Sequence, residues 1–252
     1  MGAALRTILF SFLLLGALGL AARAAEFSDG QRKEIEAIIK DYLLANPEVL
    51  KDMSQILEQK EKLAEEEMRK GALASNADQI FRDGKDFAYG DPKAKVTMVE
   101  FFDYNCGWCK KGFPEVLSLI EADKDLRFVL KEFPIFGEDS EYAARAAIAA
   151  KKQGKYWQLH VAMFEHEGKI AKDSVDEIAA GLGLDMDQLK KDMEDSATAE
   201  ILVENRNLAQ ALAINGTPAF IIDDRLVPGY LPRSDLASAI DAVRAKGGCS
   251  LC

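Results

Sequence analysis

An apolar run from Val96 to Phe102 is followed, after three residues, by the tetrad Cys106-Gly107-Trp108-Cys109. That junction limits the possible folds more than any other stretch. The run reads as a buried strand and the residues after the tetrad as a helix, so the cysteines fall at a strand-to-helix turn. A helix N-terminus presents unpaired N–H groups and a positive dipole end, which stabilise a thiolate on Cys106. Cys109 lies on the same helical turn, where it can close a disulfide or resolve a mixed one. Cys106 is therefore the expected nucleophile and the more exposed thiol, and Cys109 the buried, resolving one. A zinc knuckle and an inert structural disulfide are the alternatives, and zinc needs two further ligands near by.

The first 25 residues read as an export signal. Arg6 is a short positive region, Ile8 to Leu20 is apolar but short for a membrane span, and Ala22-Arg23-Ala24-Ala25 offers small residues to signal peptidase. Cleavage is expected after Ala24 or Ala25, with an uncleaved anchor as the alternative. An exported chain meets conditions in which disulfides persist. All four cysteines lie beyond this segment, in two CxxC pairs. The net charge is −10 and becomes more negative once Arg6 and Arg23 are removed. With no Lys/Arg run in the rest of the chain, nothing favours a nucleic-acid partner.

Residues 26–83 read as a helical extension. Ser28-Asp29 can cap a first helix with Ile35, Ile38, Ile39, Tyr42 and Leu43 on one stripe, and Asn46-Pro47 breaks it. A second helix carries Leu50, Met53, Leu57, Ala64 and Met68, with Lys60 interrupting a weak heptad. A long helix with a narrow apolar seam suggests self-association of this segment. Packing on its own domain, or a solvated linker, is the alternative. Gly84 to Pro92 reads as a boundary, and residues 84–248 as one domain. Within it, Val96–Phe102 and Leu126–Phe133 read as strands with a helix through Pro114–Ala122 between them. A helical insertion spans about residues 138–213. Ala219–Asp223 with Leu226–Gly229 forms a hairpin, and Ser234–Lys246 a closing helix. This order predicts an α/β chain with a thioredoxin-type sheet, an inserted helical domain and a preceding helical segment. Residues 249–252 form a tail.

At Glu100-Phe101-Phe102-Asp103-Tyr104-Asn105-Cys106-Gly107-Trp108-Cys109-Lys110 and at Gly216-Thr217-Pro218-Ala219-Phe220 the chain resembles the DsbA family of thioredoxin-fold disulfide oxidoreductases. The likeness runs from about Val96 to Lys246. The N-terminal helices, with Asn46-Pro47-Glu48-Val49, are similar to the extension of ScsC-type members (suppressor of copper sensitivity, protein C). The resemblance implies a periplasmic protein that exchanges disulfides with unfolded or misoxidised clients and is served by a membrane redox partner. It implies a homo-oligomer, trimers included, through residues 26–75, and no cofactor beyond the Cys106–Cys109 pair.

It also assigns roles. Gly107 and Trp108 tune the redox poise; strong oxidants of the family often carry a His there, and Trp108 has no charge to lend. Trp108 could equally be a surface aromatic that touches clients. Thr217-Pro218 resembles the cis-proline loop facing the disulfide, where a client strand pairs with the backbone of residue 217. Threonine there leans towards isomerases and reductases. Glu100 matches an acid beneath the CxxC, whose burial would raise its pKa and let it take the Cys109 proton; a solvated Glu is the alternative. His160 and His166, six apart, do not share a helix face and make a poor metal pair.

Cys249-Ser250-Leu251-Cys252 departs from the family pattern. As a flexible tail it could be an accessory dithiol, a resolving partner for Cys106, a Cu(I) site, or a short-loop disulfide of no consequence. Function therefore reads as disulfide isomerase or reductase, with oxidase as the close alternative. A copper-binding or chaperone-like scaffold is the reading from a different class.

Overall fold

The computed structural model describes residues 27–252, so the expected signal segment, residues 1–25, lies outside the described residues. Packing divides the chain into a first unit ending at Gln59 and a second spanning Lys60–Cys252.

In the first unit, α1 covers Asp29–Ala45. Ser28 and Gln31 close a capping box: the Ser28 hydroxyl accepts from the Gln31 N–H at 3.3 Å and the Gln31 side-chain Oε1 accepts from the Ser28 N–H at 2.9 Å. Asn46-Pro47 ends it and α2, Glu48–Ser75, follows and runs on into the second unit. Ile35, Ile38, Ile39, Tyr42, Leu50, Met53 and Leu57 are all exposed.

The second unit continues with α3 (Ala77–Phe81), β1 (Phe87–Tyr89), β2 (Val96–Phe102), α4 (Gly107–Ala122) and β3 (Leu126–Glu132). Five helices then form the insertion: α5 (Glu138–Lys152), α6 (Tyr156–Glu165), α7 (Lys172–Gly181), α8 (Met186–Met193) and α9 (Ser196–Ala211). The hairpin β4 (Ala219–Ile222) and β5 (Arg225–Pro228) and the closing α10 (Arg233–Ala245) complete it. The strands order β1-β3-β2-β4-β5, with β2 and β3 parallel and every other pair antiparallel.

Side chains alternate across a strand, and β2 uses both faces. Val96, Met98 and Phe102 enter one core with α4, α10 and the insertion, while Val99 and Phe101 enter the other with Leu73, Ile80 and Phe81. Both faces being covered explains why β2 reads as an unbroken apolar run. The buried alanines of α5, such as Ala143, Ala146 and Ala150, keep the insertion's helices close to the first core.

Two expectations change here. The Gly84–Pro92 boundary contains strand β1, whose three residues pair with β3 and stack Phe87 on Tyr156 at 4.5 Å. A strand that short carries no readable period. The domain also begins before residue 84, because Leu73, Ile80 and Phe81 are core residues. Lys131, 0% exposed, fixes that segment further by donating to the Gln79 carbonyl at 2.6 Å and pairing with Asp86.

Candidate active site

β2 delivers the chain to the site, and the loop after it is locked in place. One oxygen of Asp103 accepts from the Asn105 N–H and the Ser140 hydroxyl, each at 2.7 Å. The other accepts from the Ile135 and Phe136 N–H groups at 2.7 and 3.1 Å. Asn105 exchanges bonds with the backbone of Ile170, donating at 2.9 Å and accepting at 2.8 Å. The insertion therefore holds the turn from which Cys106 projects. Asp103, Asn105 and Ser140 were not singled out from sequence; the only local hint was the Asx-turn chemistry of Asp103-Tyr104-Asn105.

Cys106 is the N-cap of α4, and its sulfur accepts from the Cys109 N–H at 3.4 Å. Antiparallel pairing of β2 with β4 sets Phe101 against Ala219. That register brings Thr217 and Pro218 to the end of β2, although more than a hundred residues separate them from Cys106 in sequence. The Thr217–Pro218 bond is cis, as read from the motif, and the Cys106 thiol donates to the Thr217 carbonyl at 3.2 Å. This loop corrects one expectation. Cys106 is not the more exposed thiol: both cysteines are 2% exposed, and both are free thiols.

Their acidities differ instead. The hydrogen bond from the Cys109 thiol, helped by the backbone N–H groups of Cys109 and Trp108, lowers the Cys106 pKa to about 6 against the cost of burial. Burial, the bond it gives Cys106 and the nearby Glu100 charge push the Cys109 thiol far up. Glu100 shares the face of Met98 and Phe102 and sits in register with Leu130 and Phe220. Burial among these neighbours, and secondarily the Cys106 charge, raises its pKa to about 8. Once Cys106 ionises and gives up its bond to the Thr217 carbonyl, a neutral thiol and a neutral acid lie beneath its charge.

Around the thiols, Trp108 is 57% exposed. It lies 5.8 Å from the Tyr230 ring, with the Lys111 ammonium 4.6 Å from its own. Gly107 is exposed, with space where a Cβ would be. His160 is far from a surface ligand: it is buried against Phe102 and Phe164, meets the Tyr104 hydroxyl at 3.0 Å, and burial lowers its pKa to about 3.

The tail is docked rather than flexible, and Cys249 and Cys252 form a disulfide. Asp223, in the β4–β5 turn at φ +54°, accepts from the Ser250 N–H at 2.7 Å, the Ser250 hydroxyl at 2.8 Å and the Leu251 N–H at 3.0 Å. The Cys249 N–H donates to the Lys95 carbonyl at 2.8 Å, at the start of β2. Cys106 follows the other end of that strand, ~20 Å away at the usual rise per residue. The tail therefore cannot resolve Cys106 within one chain in this arrangement.

Residues 97–241 match the family described as DSBA-like thioredoxin domain. The chain belongs to this DsbA-like family. Residues 31–64 match a second description, the copper resistance protein ScsC N-terminal domain. A thioredoxin-like oxidoreductase from Silicibacter pomeroyi is 44% identical with a TM-score of 0.65, over 67% of this chain and 97% of that one. A linker-deletion mutant of Proteus mirabilis ScsC is 27% identical with a TM-score of 0.67, over 89% and 100%. The thiol-disulfide exchange protein α-DsbA2 from Wolbachia pipientis is 29% identical with a TM-score of 0.66, over 71% and 97%. Among curated relatives, the chain spans about a quarter of the length of the Na(+)/H(+) antiporters NhaA it matches, 25% for that of Salinispora arenicola. The chain is thus a DsbA-like thioredoxin-fold protein whose site sets a readily ionised Cys106 thiol over a buried Cys109, beneath a cis-proline loop.

Proposed function

We propose that this DsbA-like protein works in the periplasm on the disulfides of exported client proteins, chiefly as an isomerase. The observation that carries this reading is the contrast between a Cys106 thiol that ionises at about 6 and a Cys109 thiol held protonated. The Cys106 thiolate attacks one sulfur of a client disulfide, forms a mixed disulfide and releases a client thiolate. If a second client thiolate then attacks the client sulfur, Cys106 leaves as thiolate and no electrons are gained or lost. If Cys109 attacks instead, it first gives its proton to Glu100. Its sulfur attacks that of Cys106 and expels the second client sulfur as a thiolate, so Cys106–Cys109 forms and the two electrons the protein loses leave with the reduced client. At neutral pH Glu100 is largely protonated, so the second route is slow and the first is favoured. Thr217 beside the thiol points the same way by resemblance.

The reading includes a membrane redox partner that keeps Cys106 reduced, and a homo-oligomer built through residues 26–75. The exposed apolar stripes of α1 and α2 support the oligomer. Reactivation of scrambled, oxidised ribonuclease in a glutathione buffer tests the isomerase, with Cys106→Ala beside it. Activity lost in the variant supports it. Oxidation of reduced ribonuclease without reactivation of the scrambled form would make the protein an oxidase. Copper binding is a separate reading: Cys249 and Cys252 as a disulfide offer no thiolate, so a Cu(I) site there needs the pair reduced first. Chelator competition with and without reductant decides it.

A further inference from the structure

β5 is the last strand of the sheet, and its outer edge pairs with no strand among the described residues. Two cavities adjoin along it. One, of about 260 Å³, reaches from Thr217 and Pro218 to Leu226 and Pro228, with Arg69 of α2 on its wall. The other, of about 530 Å³, shares Arg69, Leu226 and Pro228 and continues past Lys70 to Arg225 and Lys246. Together they make one groove from the loop over Cys106 to the β4–β5 turn. Its length along β5 suits a strand of about four residues.

The groove is cationic in an acidic chain. Arg69, Lys70, Arg225 and Lys246 line it against only Glu66 and Asp224, while the whole chain carries −10. None of these four cations appears in an ion pair or a side-chain hydrogen bond among the described residues. At the thiol end the Thr217 hydroxyl is buried with no hydrogen-bond partner. A buried hydroxyl left unpaired is costly, and it belongs to a residue that lines the groove.

We infer that this groove binds an extended, acidic stretch of the client beside its reacting cysteine. Taking client exchange at Cys106 as given, the segment adds to the free edge of β5 through backbone hydrogen bonds, and its Asp and Glu side chains meet Arg69, Lys70 and Arg225. Client choice is then set partly by charge, on a wall supplied by α2.

The test uses the full chain with Cys109→Ala, reduced at Cys106, and two symmetrical peptide disulfides, one flanked by Asp and Glu and one by Ser and Gly. Attack by Cys106 gives one protein–peptide disulfide and one free peptide thiol, followed by mass spectrometry. Each rate is divided by that for uncharged hydroxyethyl disulfide, which reports the reactivity of the thiol itself. The acidic peptide should react about tenfold faster than the neutral one at low ionic strength, and salt should erode the advantage. Arg69→Glu with Arg225→Glu should abolish it, and methylating alternate backbone amides of the acidic peptide should slow the reaction. Equal peptide rates, or an advantage that survives charge reversal, overturn the groove. Indifference to methylation overturns strand addition. If neither peptide reacts while hydroxyethyl disulfide does, the client-exchange reading itself falls.

Discussion

Replacing Glu100 by Gln should change how stability depends on pH in a calculable way. The folded protein holds the Glu100 proton up to about pH 8, whereas an ordinary Glu loses it near 4.5. Between those values the unfolded chain is ionised and the folded one is not. The folded state therefore binds more protons, and its stability falls as pH rises. At about 1.4 kcal/mol per pH unit, the loss reaches about 3 kcal/mol at pH 7 and about 5 kcal/mol above pH 8. Gln cannot ionise, so the variant should match the parent near pH 4 and exceed it increasingly up to pH 8. Urea denaturation of the reduced proteins at several pH values measures the difference, in which the contributions of groups not coupled to Glu100 cancel; Cys106 and Cys109 are the coupled ones. Catalysis should move the other way: without a proton acceptor, Cys109 resolves mixed disulfides more slowly, and trapped adducts should accumulate above pH 8. A stability difference that is constant from pH 4 to 9 would refute the buried, neutral carboxyl and its proposed role.

Alkylation of Cys106 by iodoacetamide should rise with an inflection near pH 6, and Cys109 should stay unreactive in the folded protein; an inflection near 9 would mean that the Cys109 hydrogen bond does not act as described. Asp223→Ala removes three bonds to a carboxylate and should cost about 2 kcal/mol, with faster amide exchange at Ser250 and Leu251 measured by mass spectrometry. Ile38→Asp together with Leu57→Asp should lower the sedimentation coefficient of the full chain to that of a monomer if residues 26–75 assemble it. An unchanged coefficient removes that partner from the function.

The parts of this molecule that were legible in its sequence are those whose signal is local. β2 is covered on both faces and so is apolar throughout, the tetrad sits where its helix begins, and the β4–β5 hairpin surrounds Asp223-Asp224. Glu100 is placed under the thiols by the family resemblance alone, and the structure puts it on the β2 face of Met98 and Phe102. Other features depend on contacts across long stretches of chain. β1 is defined by β3 and by Tyr156 rather than by its own three residues. Cys106 is buried because a loop more than a hundred residues away sits over it. The tail looked loose after two glycines, and nothing adjacent to it revealed that Asp223 would hold it. Lys131 is an extreme case: a lysine in a strand reads as solvent-facing, yet Asp86 and the Gln79 carbonyl keep it wholly inside.

The bonds from Asp103 to Ser140 and from Asn105 to Ile170 tie the catalytic turn to the helical insertion rather than to the sheet alone. The tetrad is therefore not a portable cassette. Grafted onto a bare thioredoxin sheet, Cys106-Gly107-Trp108-Cys109 would lose the outside anchors that aim its first sulfur. Conversely, drift in the packing of α5 or of the segment before α7 would be felt at the thiol without any change in the four residues themselves.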